Sequence, residues 1–89
     1  MQVILNDGTV IEGGEAGLSS MGNLWIWVPG YTMPQAAMMF LDPEKTGRII
    51  FRHESTDEVF EGYINCTFIS VEETGKIRIC MQKGADDLV

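Results

Sequence analysis

Residues 24–28 read Leu-Trp-Ile-Trp-Val, and no other stretch limits the possible folds so tightly. Aromatic and β-branched residues in a row favour a strand. Side chains alternate along a strand, so Leu24, Ile26 and Val28 share one face while Trp25 and Trp27 share the other. Pro29-Gly30 ends the run. A strand that is apolar on both faces needs two covers. A chain of 89 residues makes one small domain with little material to supply both. The rings therefore belong to the core, to a surface that meets a second copy, or to a surface that meets a ligand or a foreign protein.

The remaining elements are mostly strands. "QVIL-NDG-TVIE" reads as a hairpin about Asp7-Gly8, with Gly supplying the positive φ of a two-residue turn. That register pairs Leu5 with Val10 and Ile4 with Ile11. It places Val3, Leu5 and Val10 on one face and Ile4 with Ile11 on the other, both apolar. The hairpin is then either sandwiched in the fold or shared with another chain. Residues 13–23, with four glycines, read as a loop that lacks a phosphate-loop pattern.

One helix is expected near residues 33–41. Thr32 and Gln35 form a capping box, Pro34 sits in the first turn, and Asp42-Pro43 stops the run. Met33, Ala36, Ala37, Phe40 and Leu41 make its apolar stripe. Met38 and Met39 lie off that stripe, so the helix is apolar over much of its circumference.

In the C-terminal half, "RIIFRH" sets Ile49 and Phe51 against Arg48, Ile50 and Arg52. Gly62 marks a bulge or break in "EVFEGYINCTFISVEE". A loop of Glu73-Thr74-Gly75 then pairs Ile69 with Ile79 and Val71 with Ile77, Cys66 with Gln82, and Cys80 with Phe68. The fold class is mainly β (α+β): an antiparallel sheet or small sandwich or barrel of about six to seven strands with one short helix. Residues 1–83 form a single β-rich domain, and 84–89 a short, flexible acidic tail.

Thirteen acids against six bases give a net charge of −7. This opposes binding to a nucleic-acid backbone, which needs clustered Lys and Arg. It fits solubility or a basic protein partner. Glu54, Asp57, Glu58 and Glu61 are an acidic run without calcium-loop spacing, read as a solvated hairpin tip that could face such a partner. Cys66 and Cys80 are too few and too widely spaced for a zinc site and read as free thiols. The lone His53 reads as a solvated strand-end residue. With no convergent catalytic group, metal or cofactor site, the expectation is a protein that is not an enzyme. No run reaches the roughly 20 apolar residues of a membrane span, and the N-terminus lacks a secretory pattern, which points to the cytoplasm.

The order "ILNDGT", "MPQAAMMFLDPEKTGRIIF", "EVFEGYINCTFISV", "GKIRICMQK" resembles small acidic accessory proteins encoded by phages and prophages of gut Firmicutes. The resemblance covers most of the chain as a pattern of elements, and "GNLWIWVPGY" lies outside it. It implies a viral accessory protein that works in the host cell cytoplasm or in the virion. The leading expectation is a non-catalytic, homo-oligomeric binding protein. Its partner is a phage structural protein or a host defence protein, the latter engaged by an acidic inhibitor of the anti-CRISPR kind. The alternative is an oligomeric sponge for a nucleotide immune signal. There Arg48, Arg52 and Arg78 would meet Trp25 and Tyr31 across a subunit boundary, the rings stacking on the base and the arginines clamping the phosphates, with Trp27 a further residue of the partner or ligand surface.

Overall fold

The Leu24–Val28 strand behaves as its alternation dictates: Leu24, Ile26 and Val28 are buried, and both tryptophans lie half-buried on the opposite face. In the computed structural model, which describes residues 1–84, eight strands form two antiparallel four-stranded sheets, joined by two short helices. The first sheet contains β1 (Gln2–Ile4), β2 (Val10–Glu12), β5 (Arg48–His53) and β6 (Thr56–Glu61), in the order β2-β1-β5-β6. The second contains β3 (Glu15–Leu18), β4 (Leu24–Val28), β7 (Asn65–Val71) and β8 (Ile77–Gln82), in the order β3-β4-β8-β7. This is the mainly β architecture expected, with more strands than six or seven and a second helix, α2 (Pro43–Thr46), after α1 (Met33–Phe40). No helix among the described residues is long and apolar enough to cross a membrane.

One core lies between the sheets. Val3, Leu5, Ile11, Ile49 and Phe60 line it from the first sheet, and Ala16, Leu24, Ile26, Val28, Ile77, Ile79 and Met81 from the second. Residues 13–14 join edge strands β2 and β3, and residues 62–64 join edge strands β6 and β7. The sandwich is thus closed by covalent corners at both sides. Gly13 and Gly62 turn these corners at φ +76° and +83°, a region that favours glycine. Gly62 is the break between strands that its position implied. Gly84 N–H donates to its carbonyl at 2.9 Å. The rest of the expected tail, residues 85–89, lies outside the described residues.

Three hairpins use the same loop. In Asn6-Asp7-Gly8, Ser20-Met21-Gly22 and Glu73-Thr74-Gly75 the third residue is a glycine at φ +91°, +84° and +91°. Each glycine N–H donates to the residue before the loop, Leu5, Ser19 or Glu72, at 2.9–3.0 Å. This is the three-residue hairpin with a left-handed glycine. It corrects the first register by one residue: Ile4 pairs with Val10 and Val3 with Ile11. Ile11 then joins Val3 and Leu5 in the core, and Val10 turns outward, 45% exposed.

Residues 13–23 are not simply a loop either. Glu15–Leu18 form β3 and pair with β4 from Glu15–Trp27 to Leu18–Leu24. The strand lacks β-favouring residues and is held by pairing and by buried Ala16. In the last hairpin Ile69–Ile79, Val71–Ile77 and Phe68–Cys80 pair as expected. A bulge at Thr67 sets Cys66 opposite Met81 instead of Gln82, and Thr67 Oγ1 donates to the Cys80 carbonyl at 3.3 Å.

The capping box forms on both sides. Gln35 N–H donates to Thr32 Oγ1 at 3.3 Å, and Thr32 N–H to Gln35 Oε1 at 2.9 Å. The buried stripe of α1 is Ala36, Met39 and Phe40, rotated from the expected one. Met33 lies exposed in the first turn. Leu41 leaves the helix as its C-cap because Asp42 already caps α2, accepting from Glu44 N–H at 3.0 Å. Met38 is 73% exposed.

Gly14 is pressed against the core: a Cβ there would stand 2.9 Å from Val3 Cγ2 and 3.3 Å from Ile11 Cγ2. At Gly17 a Cβ would meet nothing within 4 Å. Gly14→Ala is expected to lower stability by about 1–3 kcal/mol, because a packed core resists added volume. Gly17→Ala should be neutral or stabilising by up to about 1 kcal/mol. Urea denaturation checks both, with the midpoint moving and the slope unchanged.

Candidate functional site

The outer face of the second sheet is built in two rows that follow from strand register. Glu15, Trp27, Arg78 and Ser70 lie across β3, β4, β8 and β7 in one row. Gly17, Trp25, Cys80 and Phe68 form the next. Trp25 and Phe68 flank Cys80 from the two neighbouring strands, and their rings meet edge to face, 6.2 Å between centroids at 72°. They roof the thiol, which is only 4% exposed although it faces away from the core.

Arg78 lies over both rings, its guanidinium carbon 5.1 Å from the Trp25 centroid and 5.4 Å from that of Phe68. Such stacking is worth about 0.5–2 kcal/mol as water is excluded. Among the described residues no carboxylate stands within ion-pair distance of Arg78. Its Nε is buried without a hydrogen-bond partner. Trp27 is fixed differently: its Nε1–H donates to Glu72 Oε2 at 3.2 Å. Gly17 leaves open space beside Trp25 on the edge strand. The face therefore presents two indoles, a phenyl ring and a guanidinium without an ion pair among the described residues, with open space at its Gly17 edge.

The other candidate residues go elsewhere. Tyr31 packs against the core after β4. Arg48 and Arg52 stand on β5, on the outer face of the first sheet, and each faces an acid. Arg52 holds Asp57 through two bonds of 2.8 and 2.9 Å, and Arg48 Nε lies 3.9 Å from Glu61. Within one chain the three arginines do not converge, and only Arg78 joins the tryptophans. Of the acidic run, Asp57 and Glu61 are engaged in this way. Glu54 occupies the two-residue tip of the β5–β6 hairpin at φ +58°, and Glu58 is exposed. Glu58 and Glu61 border an open groove of about 490 Å³ with Leu18, Phe60, Tyr63 and Lys83. His53 is exposed at the end of β5, its ring stacked 6.1 Å from Phe51.

Phe68, Glu72, Gly17 and Cys80 are the members of the face that residue type alone did not single out. The Phe68–Cys80 pairing was legible, but nothing in the sequence says that β8 lies beside β4. Comparison of the chain with protein-family models, with curated proteins and with solved structures returns no match in any of the three.

Both cysteines are free, and burial pushes the Cys66 thiol above its ordinary value. Phe68→Ala removes half of the roof over Cys80. Its labelling by a thiol reagent under native conditions should accelerate on the order of tenfold, with Cys66 nearly unchanged. Peptide mapping of the labelled protein distinguishes the two sites.

Hydrogen bonding from Arg52 holds the Asp57 carboxyl below its ordinary value of 3.8. A carboxyl lowered in the folded state stabilises at pH values above its unfolded value and loses that contribution as pH falls through the folded one. Asp57→Asn is thus expected to be slightly less stable than the parent at neutral pH. The gap should close below about pH 4. Melting temperatures of both proteins across the acid range test this.

Proposed function

We propose that this chain is a non-catalytic binding protein that acts through protein–protein contacts at the outer face of the second sheet. One observation carries the reading: Trp25, Trp27, Phe68 and an unpaired Arg78 are gathered on a sheet surface instead of in the core. Trp and Arg dominate interface hot spots because they join large apolar area to directional polar groups. The rings are held by cross-strand packing and Arg78 by the rings, so little side-chain freedom is lost on binding.

With the resemblance to phage accessory proteins, the partner is a phage structural protein or a host defence protein. The chain then works as a virion accessory subunit or as an inhibitor of a defence effector, in the host cytoplasm or the virion. The inhibitor reading draws less support from the acidic run, since Arg48 and Arg52 neutralise two of its four acids.

A second reading is favoured by the Trp25–Arg78 pair: a base stacked on the indole with a phosphate on the guanidinium would make the protein a sponge for a nucleotide signal. In that reading Arg78 is the phosphate contact, because Arg48 and Arg52 belong to the opposite face.

The test uses tagged parent protein, Trp25→Ala and Gly17→Ile, recovered from phage-infected cells and measured by native mass spectrometry. Trp25→Ala removes a ring, and Gly17→Ile adds bulk beside it while removing nothing. The parent should retain a protein partner, and both variants should bind it at least about tenfold more weakly with their fold preserved, the 1.4 kcal/mol expected for loss of a hot-spot contact. Retained small-molecule mass in place of a protein selects the sponge. Full binding by both folded variants would move the site off this face, and unfolding of Trp25→Ala alone would give its ring a structural role and leave Gly17→Ile to decide the site.

A further inference from the structure

The outer face of the first sheet carries a different pattern. Register aligns Val10, Ile4, Ile50 and Val59 in a single row across β2, β1, β5 and β6. Ile4 and Ile50 are half-buried in the middle, and Val10 and Val59 are 45% and 46% exposed at the ends. At the spacing of neighbouring strands this is an apolar stripe roughly 14 Å long. It contains no aromatic ring.

Polar rows frame the stripe, and their groups are bonded sideways to each other. Gln2 Nε2–H donates to Glu12 Oε2 at 2.7 Å, Arg52 to Asp57 through two bonds, and Arg48 stands 3.9 Å from Glu61. Two arginines against three acids leave a charge of −1 here, so nearly all of the chain's −7 lies elsewhere.

We infer that this face is the contact between two copies of the chain. Two molecules with a net charge of −7 repel over most of their surfaces and approach with least repulsion where the acids are neutralised. A two-fold contact sets the same patch against itself, so a rim of both signs meets a rim of both signs. A row of Val-Ile-Ile-Val side chains packs on its own copy as the inner faces of a β-sandwich do, about 10 Å apart. A foreign partner would find no aromatic anchor here and a single uncompensated carboxylate, Glu12, whereas the opposite sheet offers both rings and a guanidinium without an ion pair among the described residues.

Sedimentation velocity over a concentration series tests the inference on four proteins. The parent is expected to dimerise reversibly. Val10→Lys/Val59→Lys changes only the exposed ends of the stripe and should stay folded by circular dichroism. It should raise the dimer dissociation constant at least about tenfold, since a buried unpaired ammonium is disfavoured. Val59→Ile adds apolar area and should tighten the dimer. Trp25→Ala should leave it unchanged. A parent that remains monomeric throughout would overturn the inference, as would a dimer that survives both lysines. So would a dimer lost with Trp25→Ala, which would place self-association on the second sheet. A parent that stays monomeric alone but pairs through this stripe with another protein would assign the face to a foreign partner.

Discussion

The pairing of β4 with β8 governs this molecule. Leu24, Ile26 and Val28 pack beside Met81, Ile79 and Ile77 on the core side, each at most 1% exposed. Six apolar side chains removed from water on two adjacent strands contribute on the order of 10 kcal/mol before the entropy of ordering is set against them. A slip of one residue would exchange faces and bring Arg78 inward. The register is therefore fixed, and it forces Trp25, Trp27, Arg78 and Cys80 outward. The exposed aromatic face is the necessary complement of the core.

How much of this was legible depends on the range of the signal. Strand β4, the helix cap and the last hairpin were readable because alternation, a capping box and a glycine-ended loop act within a few residues. The same loop chemistry in Asn6-Asp7-Gly8 also fits, from sequence alone, a two-residue turn about Asp7-Gly8, and that single residue exchanges Val10 with Ile11. Aspartate followed by glycine serves both loops, and the choice falls to the core, which accepts Ile11 beside Val3 and Leu5. Strand β3 could not be seen in Glu-Ala-Gly-Leu, since its stability comes from a partner strand instead of from propensity. The convergence of Arg78, Phe68 and Trp25 joins strands far apart in the chain, and sheet order is what sequence patterns leave open.

The two outer faces handle charge in opposite ways. On the first sheet, each arginine sits across from an acid on the neighbouring strand, and exposed pairs of this kind add little stability, about 0–1 kcal/mol. What they do is neutralise that surface. On the second sheet, Arg78 lies over two rings and meets no carboxylate among the described residues. Equal residue types on strands of one domain thus acquire different roles through register alone: Arg52 opposes Asp57, whereas Arg78 opposes Trp27 and Ser70.

On the two proposals above, these differences would suit the faces to different neighbours. A contact between identical chains adds its interactions twice by symmetry, so a modest aliphatic stripe with a self-satisfied rim is adequate for it. Capture of a foreign surface has no such doubling and relies on a few strong anchors. Because the two faces belong to opposite sheets of one sandwich, pairing through the first leaves the second open on both copies. A dimer of that form presents two aromatic faces pointing away from each other. Against a repeated partner, as in a virion or an oligomeric effector, the second contact becomes intramolecular and overall binding exceeds that of either face.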